Sequence, residues 1–168
     1  MPASLRRVLL PTDFSKGSEI ALEYAVDLAR RDGAELIVLH VVEDFADYSL
    51  LYSDFFPFQK PVNELYERAE ERTRQKIEEL VASCGEPVPR HRAIVTTGSP
   101  HREIVRAVAQ ERIDLVVIAT HGRSGFAHAL LGSTAERVVR HAPCPVLVVR
   151  RPAEKVEDGD DAEEGAEE

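Results

Sequence analysis

Two kinds of apolar run alternate along this chain. Short, almost unbroken runs read as strands, and longer runs with apolar residues three or four apart read as helices. The spacing predicts a strand over Leu5–Leu10, ended by Pro11, and a helix from Ser15 to Arg31. Ala21, Ala25 and Leu28 form that helix's expected inner face, with Ile20 and Tyr24 beside it. Asp32-Gly33 ends it, and Gly33 suits a left-handed C-cap. Leu36–Val42 is an almost wholly apolar strand, as expected where both faces are covered. After a break over residues 43–62, Asn63 to about Ser83 reads as a long charged helix. Its expected buried residues are Leu65, Ala69, Ile77, Leu80 and Val81, and Gly85 and Pro87 close it. His91–Thr97 is a third strand. Ser99 caps a third helix with Pro100 at its first position, and Ile104, Val105 and Val108 form its inner face. Leu115–Thr120 is a fourth strand, Ser133–His141 a fourth helix, and Val146–Val149 a fifth strand introduced by Pro143 and Pro145.

Five strands and four helices in strict alternation predict an α/β fold: an open five-stranded parallel sheet with helices on both faces. The 168 residues suit one domain. The net charge of −9 sits mainly at one end: residues 152–168 hold nine acids and one lysine, while residues 1–151 hold 21 acids and 20 bases. The expected organisation is a folded domain over 1–151 and a disordered acidic tail over 152–168, which lacks the apolar content to offset its ordering entropy. Neither part carries the basic excess of a general nucleic-acid binder. No apolar run approaches 18 residues, and the first one meets Pro11 and Asp13 too soon for a signal region, so a cytoplasmic location away from membranes is expected. Cys84 and Cys144 lack metal or redox spacing and read as reduced thiols.

In open α/β sheets, ligands bind beyond the carboxyl ends of strands where the strand order reverses. Two such ends stand out. Pro11-Thr12-Asp13-Phe14-Ser15 follows the first strand. Ala119 to Gly125 follows the fourth and leads through Leu131 to Gly132-Ser133-Thr134. Glycines 122, 125 and 132 permit close backbone approach. Ser133 to Glu136 matches a capping box, and a helix N-terminus offers N–H groups to an anion. That makes the stretch a phosphate cradle in one reading, with Arg123 adding charge, and ordinary loop punctuation in the other. Asp13 is likewise either a ligand contact or a helix cap, and His121 either a donor to a phosphate oxygen or a solvated loop residue. The six histidines show no metal-binding spacing, and Ser124 and Ser133 lack the G-x-S-x-G setting of a hydrolase nucleophile, so dedicated catalysis is not expected.

The stretch from Val116 to Val149, with Leu-Leu-Pro-Thr-Asp-Phe-Ser near the start, resembles the universal stress protein family over roughly residues 5–150. Its nucleotide-binding branch carries G-x-x-G-x9-G-[S/T]. Gly122, Gly132 and Ser133 match the later positions, and Ala119 stands at the first glycine. The resemblance implies a fold like that of dinucleotide-binding domains and adenine nucleotide α-hydrolases, and an adenine nucleotide (ATP, ADP or AMP) with Mg2+ as the usual bridging cation. It implies that Asp13 holds ribose or base, that Pro11 and Thr12 line the same wall, and that Val41 contacts adenine. Gly122, Arg123, Gly132, Ser133 and Thr134 would surround the phosphates. It further implies a stress-responsive homodimer pairing through the C-terminal strand, residues 145–150, whose apolar edge needs protection.

Two rivals stand beside that reading. One is a non-nucleotide interaction module, in which the aromatic insertion or the acidic tail meets an unknown protein partner. The other is a slow ATP-hydrolysing enzyme. The insertion, 43–62, holds six of the chain's ten Phe and Tyr residues, and reads either as added core or as a contact surface.

Overall fold

The computed structural model describes residues 4–42, 62–85, 88, 90–120 and 131–150. The aromatic insertion up to residue 61, the loop 121–130 and the acidic tail lie outside these residues. Among the described residues, strands β1 (Arg7–Pro11), β2 (Glu35–Val42), β3 (His91–Thr97), β4 (Leu115–Ala119) and β5 (Val146–Val149) alternate with helices α1 (Lys16–Asp32), α2 (Val62–Ala82), α3 (Pro100–Gln110) and α4 (Ser133–His141). All strand pairs are parallel, and the order is β3-β2-β1-β4-β5. This is the open α/β sheet that the alternation predicts.

β1 lies at the centre, which explains its unbroken apolar run. Val8 and Leu10 face α1 and α2, Leu9 faces α3 and α4, and all three are fully buried. Each such side chain stabilises the fold by about 1.5–3 kcal/mol. On the first face, Ala21, Leu22, Ala25, Val26 and Ala29 of α1 pack with Leu36, Val38, Ile77, Val81 and Val117. On the second, Ile37, Leu39, Ile104, Val108, Val116, Ile118, Ala135 and Val138 form a separate cluster.

Three local expectations are corrected. The inner face of α1 runs through Ser18, Ala21, Leu22, Ala25, Val26 and Ala29, leaving Leu28 half-buried and Tyr24 exposed. Its alanines let the helix lie close to the sheet, so the small residues rather than the large ones mark the contact. In α3, Ala107 rather than Val105 completes the buried face with Ile104 and Val108. Ser99 holds the N-cap position without a side-chain bond to the helix, because its Oγ meets Nδ1 of His101.

The amino ends of the strands are tied by charge. The Glu35 carboxylate meets Arg7 at 3.4 Å and Arg92 at 2.9 Å, and Arg92 also pairs with Glu111. Burial works against the Arg92 charge, but Glu111 and Glu35 outweigh it and raise its pKa. Asp114 accepts the N–H groups of Arg6 and Arg7. The candidate site residues lie at the opposite, carboxyl end of the strands.

Candidate functional site at the β1–β4 crevice

The strand order reverses between β1 and β4. The chain steps outward through β2 and β3, then returns to the other side of β1 for β4 and β5. The two central strands also part. Their ladder includes Val8↔Leu115 and Leu9↔Val116 and goes no further. Beyond it, each strand is held by its outer neighbour. Thr12 N–H donates to the Leu39 carbonyl at 2.8 Å, prolonging the β1–β2 ladder, and Thr120 N–H donates to Val149 at 2.9 Å, prolonging β4–β5. A crevice therefore opens at the switch point, where α/β sheets of this kind hold ligands.

The first wall is Pro11 to Ser18. Pro11 and Thr12 are buried, and Asp13 is half-buried. A relay of hydrogen bonds shapes this turn: Phe14 N–H donates to Thr12 Oγ1, which donates to Ser18 Oγ, which donates to the Ser15 carbonyl. Asp13 Oδ1 accepts from Ser15 N–H at 3.0 Å, and Ser15 Oγ accepts from Ser18 N–H. Ser15 is thus the cap of α1, and Asp13 fixes the turn before it. Phe14 adopts φ 61°, a left-handed conformation uncommon for a bulky residue. Its ring is held between His40, at 4.7 Å, and the Lys76 ammonium, at 4.2 Å. Val41, near the end of β2, is half-buried against the α3/α4 cluster.

The second wall is Ala119, Thr120 and the start of α4. Ala119 is a regular strand residue opposite Val149, and its methyl packs against the α1/α2 cluster. Gly132 N–H donates to the Thr120 carbonyl at 2.7 Å, which fastens the start of α4 to the end of β4. The expected capping box over Ser133–Glu136 does not form. Gly132 is the N-cap, Ser133 is the first helical residue, and Glu136 pairs with Arg140. The bond to Thr120 sets this frame one residue earlier. No side chain caps α4, so its first-turn amides have no side-chain acceptor among the described residues. Ser133 is exposed and Thr134 half-buried.

The structure thus places Pro11, Thr12 and Asp13 at the end of β1, Val41 near the end of β2, Ala119 at the end of β4, and Gly132, Ser133 and Thr134 at the start of α4. His121, Gly122 and Arg123 lie outside the described residues. Sequence reasoning passed over His40, whose Nδ1 lies 2.7 Å from the Thr12 carbonyl. Its signal was present: it is the one polar residue in an otherwise apolar strand, LIVLHVV. Among the described residues, no cluster of three His, Cys, Asp or Glu side chains is arranged to hold a metal, and no helix is long and apolar enough to cross a membrane.

The chain is similar to known proteins over nearly all of its folded part. The sequence model of the universal stress protein family matches residues 4–150. A universal stress protein of Methanocaldococcus jannaschii is 31% identical over 159 residues, covering 90% of this chain and 98% of that protein. One from Thermus aquaticus is 36% identical over 145 residues, covering 86% and 98%. The solved structure of the M. jannaschii protein superimposes with a TM-score of 0.73 at 30% identity, covering 90% of this chain and all of that one. A universal stress protein from Lactobacillus plantarum superimposes with a TM-score of 0.68 at 28% identity, covering 88% and 99%. With the family's sequence pattern and its fold both present, the chain belongs to the universal stress protein family.

Proposed function

We propose that the β1–β4 crevice binds an adenine nucleotide (ATP, ADP or AMP), and that the protein is a dimeric, nucleotide-responsive regulator in stress physiology rather than a dedicated enzyme. The observation that carries this reading is the contrast between two helix starts. α1 begins under the side-chain cap of Ser15, whereas α4 begins at Gly132 with no side-chain cap bond among the described residues, beside the point where β1 and β4 part. Amides at a helix start favour phosphate through their free N–H groups and the helix dipole.

In this reading Gly132, Ser133 and Thr134, with Gly122, Arg123 and His121 of the adjoining loop, surround the phosphates. Asp13 meets the ribose or base, Pro11 and Thr12 line that wall, and Val41 meets adenine. Ala119 is compatible with the site because its methyl is directed into core packing. With ATP or ADP bound, Mg2+ would accompany the phosphates and neutralise part of their charge. Two proteins of the same fold support the ligand class. A universal stress protein 22% identical was solved in complex with cAMP, and one from Arabidopsis thaliana, 20% identical, with AMP bound.

The folded unit is residues 1–151, in the cytoplasm. Pairing occurs through residues 145–150, which contain β5, where Leu147 stays 37% exposed on the edge strand.

Acid extraction of the purified protein is expected to release an adenine nucleotide identifiable by mass spectrometry. Phosphate release from added ATP should stop within a single turnover. An extract free of nucleotide, joined with no heat on titrating ATP, ADP or AMP, overturns the reading. Sustained turnover moves the protein to the enzymes.

A further inference from the structure

We propose that the outer face of α3 and α4 is the docking surface for the chain's own acidic segment, residues 152–168. The two helical layers differ in charge. α1 and α2 together carry seven basic and ten acidic residues, whereas α3 and α4 carry four arginines and two glutamates, with His101 and His141 besides. Both glutamates are engaged locally. Glu103 accepts from Thr96 Oγ1 at 3.2 Å and lies 3.7 Å from Arg106, and Glu136 pairs with Arg140 at 2.9 Å. Arg102 and Arg137 are exposed, and neither has a carboxylate partner among the described residues.

These cations are gathered, not scattered. α3 and α4 pack against each other. His101, in the first turn of α3, is close enough to Arg137 and His141 of α4, and to Arg102, for their charges to act on it. Partial burial and then these neighbours hold its imidazole below the usual value. Like charges held together repel, and the arrangement is relieved by an anion placed over it.

The chain supplies that anion. Residues 152–168 carry nine acids against one lysine, and in sequence they begin after Arg150 and Arg151, which follow β5, against which α4 packs. By the statistics of a coil, seventeen residues span roughly 20–25 Å on average. The folded body has a radius of gyration of about 15 Å, so the whole α3/α4 face is within reach. Tethering gives an effective concentration on the order of millimolar, so contacts too weak to hold a free peptide still hold this one. The acidic α1/α2 layer repels the segment, which selects the face.

Amide NMR spectra of the full chain test this, with a variant in which every Asp and Glu from Glu154 to Glu168 is changed to its amide as comparison. At about 20 mM salt the α3 and α4 resonances should differ between the two proteins. At about 500 mM salt, where such contacts are screened, the wild-type resonances should move to the variant's positions. R102E/R137E should abolish the low-salt difference. Coincident spectra at low salt overturn the proposal, as do differences confined to α1 and α2. Differences that grow with protein concentration overturn it in favour of the segment of another copy.

Discussion

His40 donates its Nδ1–H to the Thr12 carbonyl at 2.7 Å, which fastens the end of β2 to the first wall of the crevice. A carbonyl only accepts, so the neutral ring carries its proton on Nδ1. The same ring lies against Phe14, whose left-handed backbone needs such support. His40→Leu keeps the apolar volume and removes the donor. It should cost about 1–2 kcal/mol in urea unfolding and weaken nucleotide binding, measured by calorimetry. Unchanged stability and affinity would show that the bond does not hold the wall.

Thr12→Val removes a hydroxyl that both accepts from Phe14 N–H and donates to Ser18, at a position only 5% exposed. The expected loss is about 1–3 kcal/mol, because a partly buried amide loses its acceptor. Thr12→Ser retains the hydroxyl and should lose less. Equal losses would assign the effect to the methyl group.

Both cysteines should react slowly in the folded protein. Burial and Glu23 push the Cys84 thiol up, against the opposing pull of Arg30. Burial and Asp114 push Cys144 up, against a bond with the Val116 backbone. A raised folded-state pKa favours the neutral thiol. The stability it contributes is present below the unfolded-state pKa and lost as pH rises through the folded one. At pH 8, iodoacetamide followed by mass spectrometry should modify both sites more slowly in the native chain than in urea. Equal rates would contradict the burial.

The Arg7–Glu35–Arg92–Glu111 ties lie at the far end of the sheet and are partly exposed. Glu35→Gln should cost only about 0.5–1 kcal/mol, less at high salt, and leave nucleotide affinity untouched. A change in affinity would show that the two ends of the sheet are coupled.

Leu147→Lys places a charge on the exposed edge of β5, where charged side chains discourage strand pairing. Analytical ultracentrifugation is expected to find a dimer for the wild type and a monomer for this variant. A dimer that persists would move the interface elsewhere.

The fold was legible because punctuation and burial agree. β3 spans His91–Thr97 as predicted, β5 starts directly after Pro145, and α4 spans Ser133–His141 as its pattern requires. What escaped was decided by contacts distant in sequence. Which side of α1 meets the sheet depends on how closely alanines let it approach, and apolar spacing alone does not rank Leu28 against Ala29. The N-cap of α4 is set by a bond from Gly132 to Thr120, twelve residues away, which overrides a local capping pattern. In the site, the glycine loop and Asp13 were visible as residue types. The separation of β1 from β4 and the role of His40 needed the sheet order.

Titration calorimetry with ATP on the wild type and Gly132→Glu tests the central claim most directly. Gly132 sits at φ −69° and ψ 153°, a conformation open to every residue, so the variant should fold with its thermal midpoint nearly unchanged. A carboxylate over the α4 amides should weaken binding at least about tenfold, a loss of about 1.4 kcal/mol. Equal affinity in the two folded proteins would contradict a nucleotide held at the start of α4.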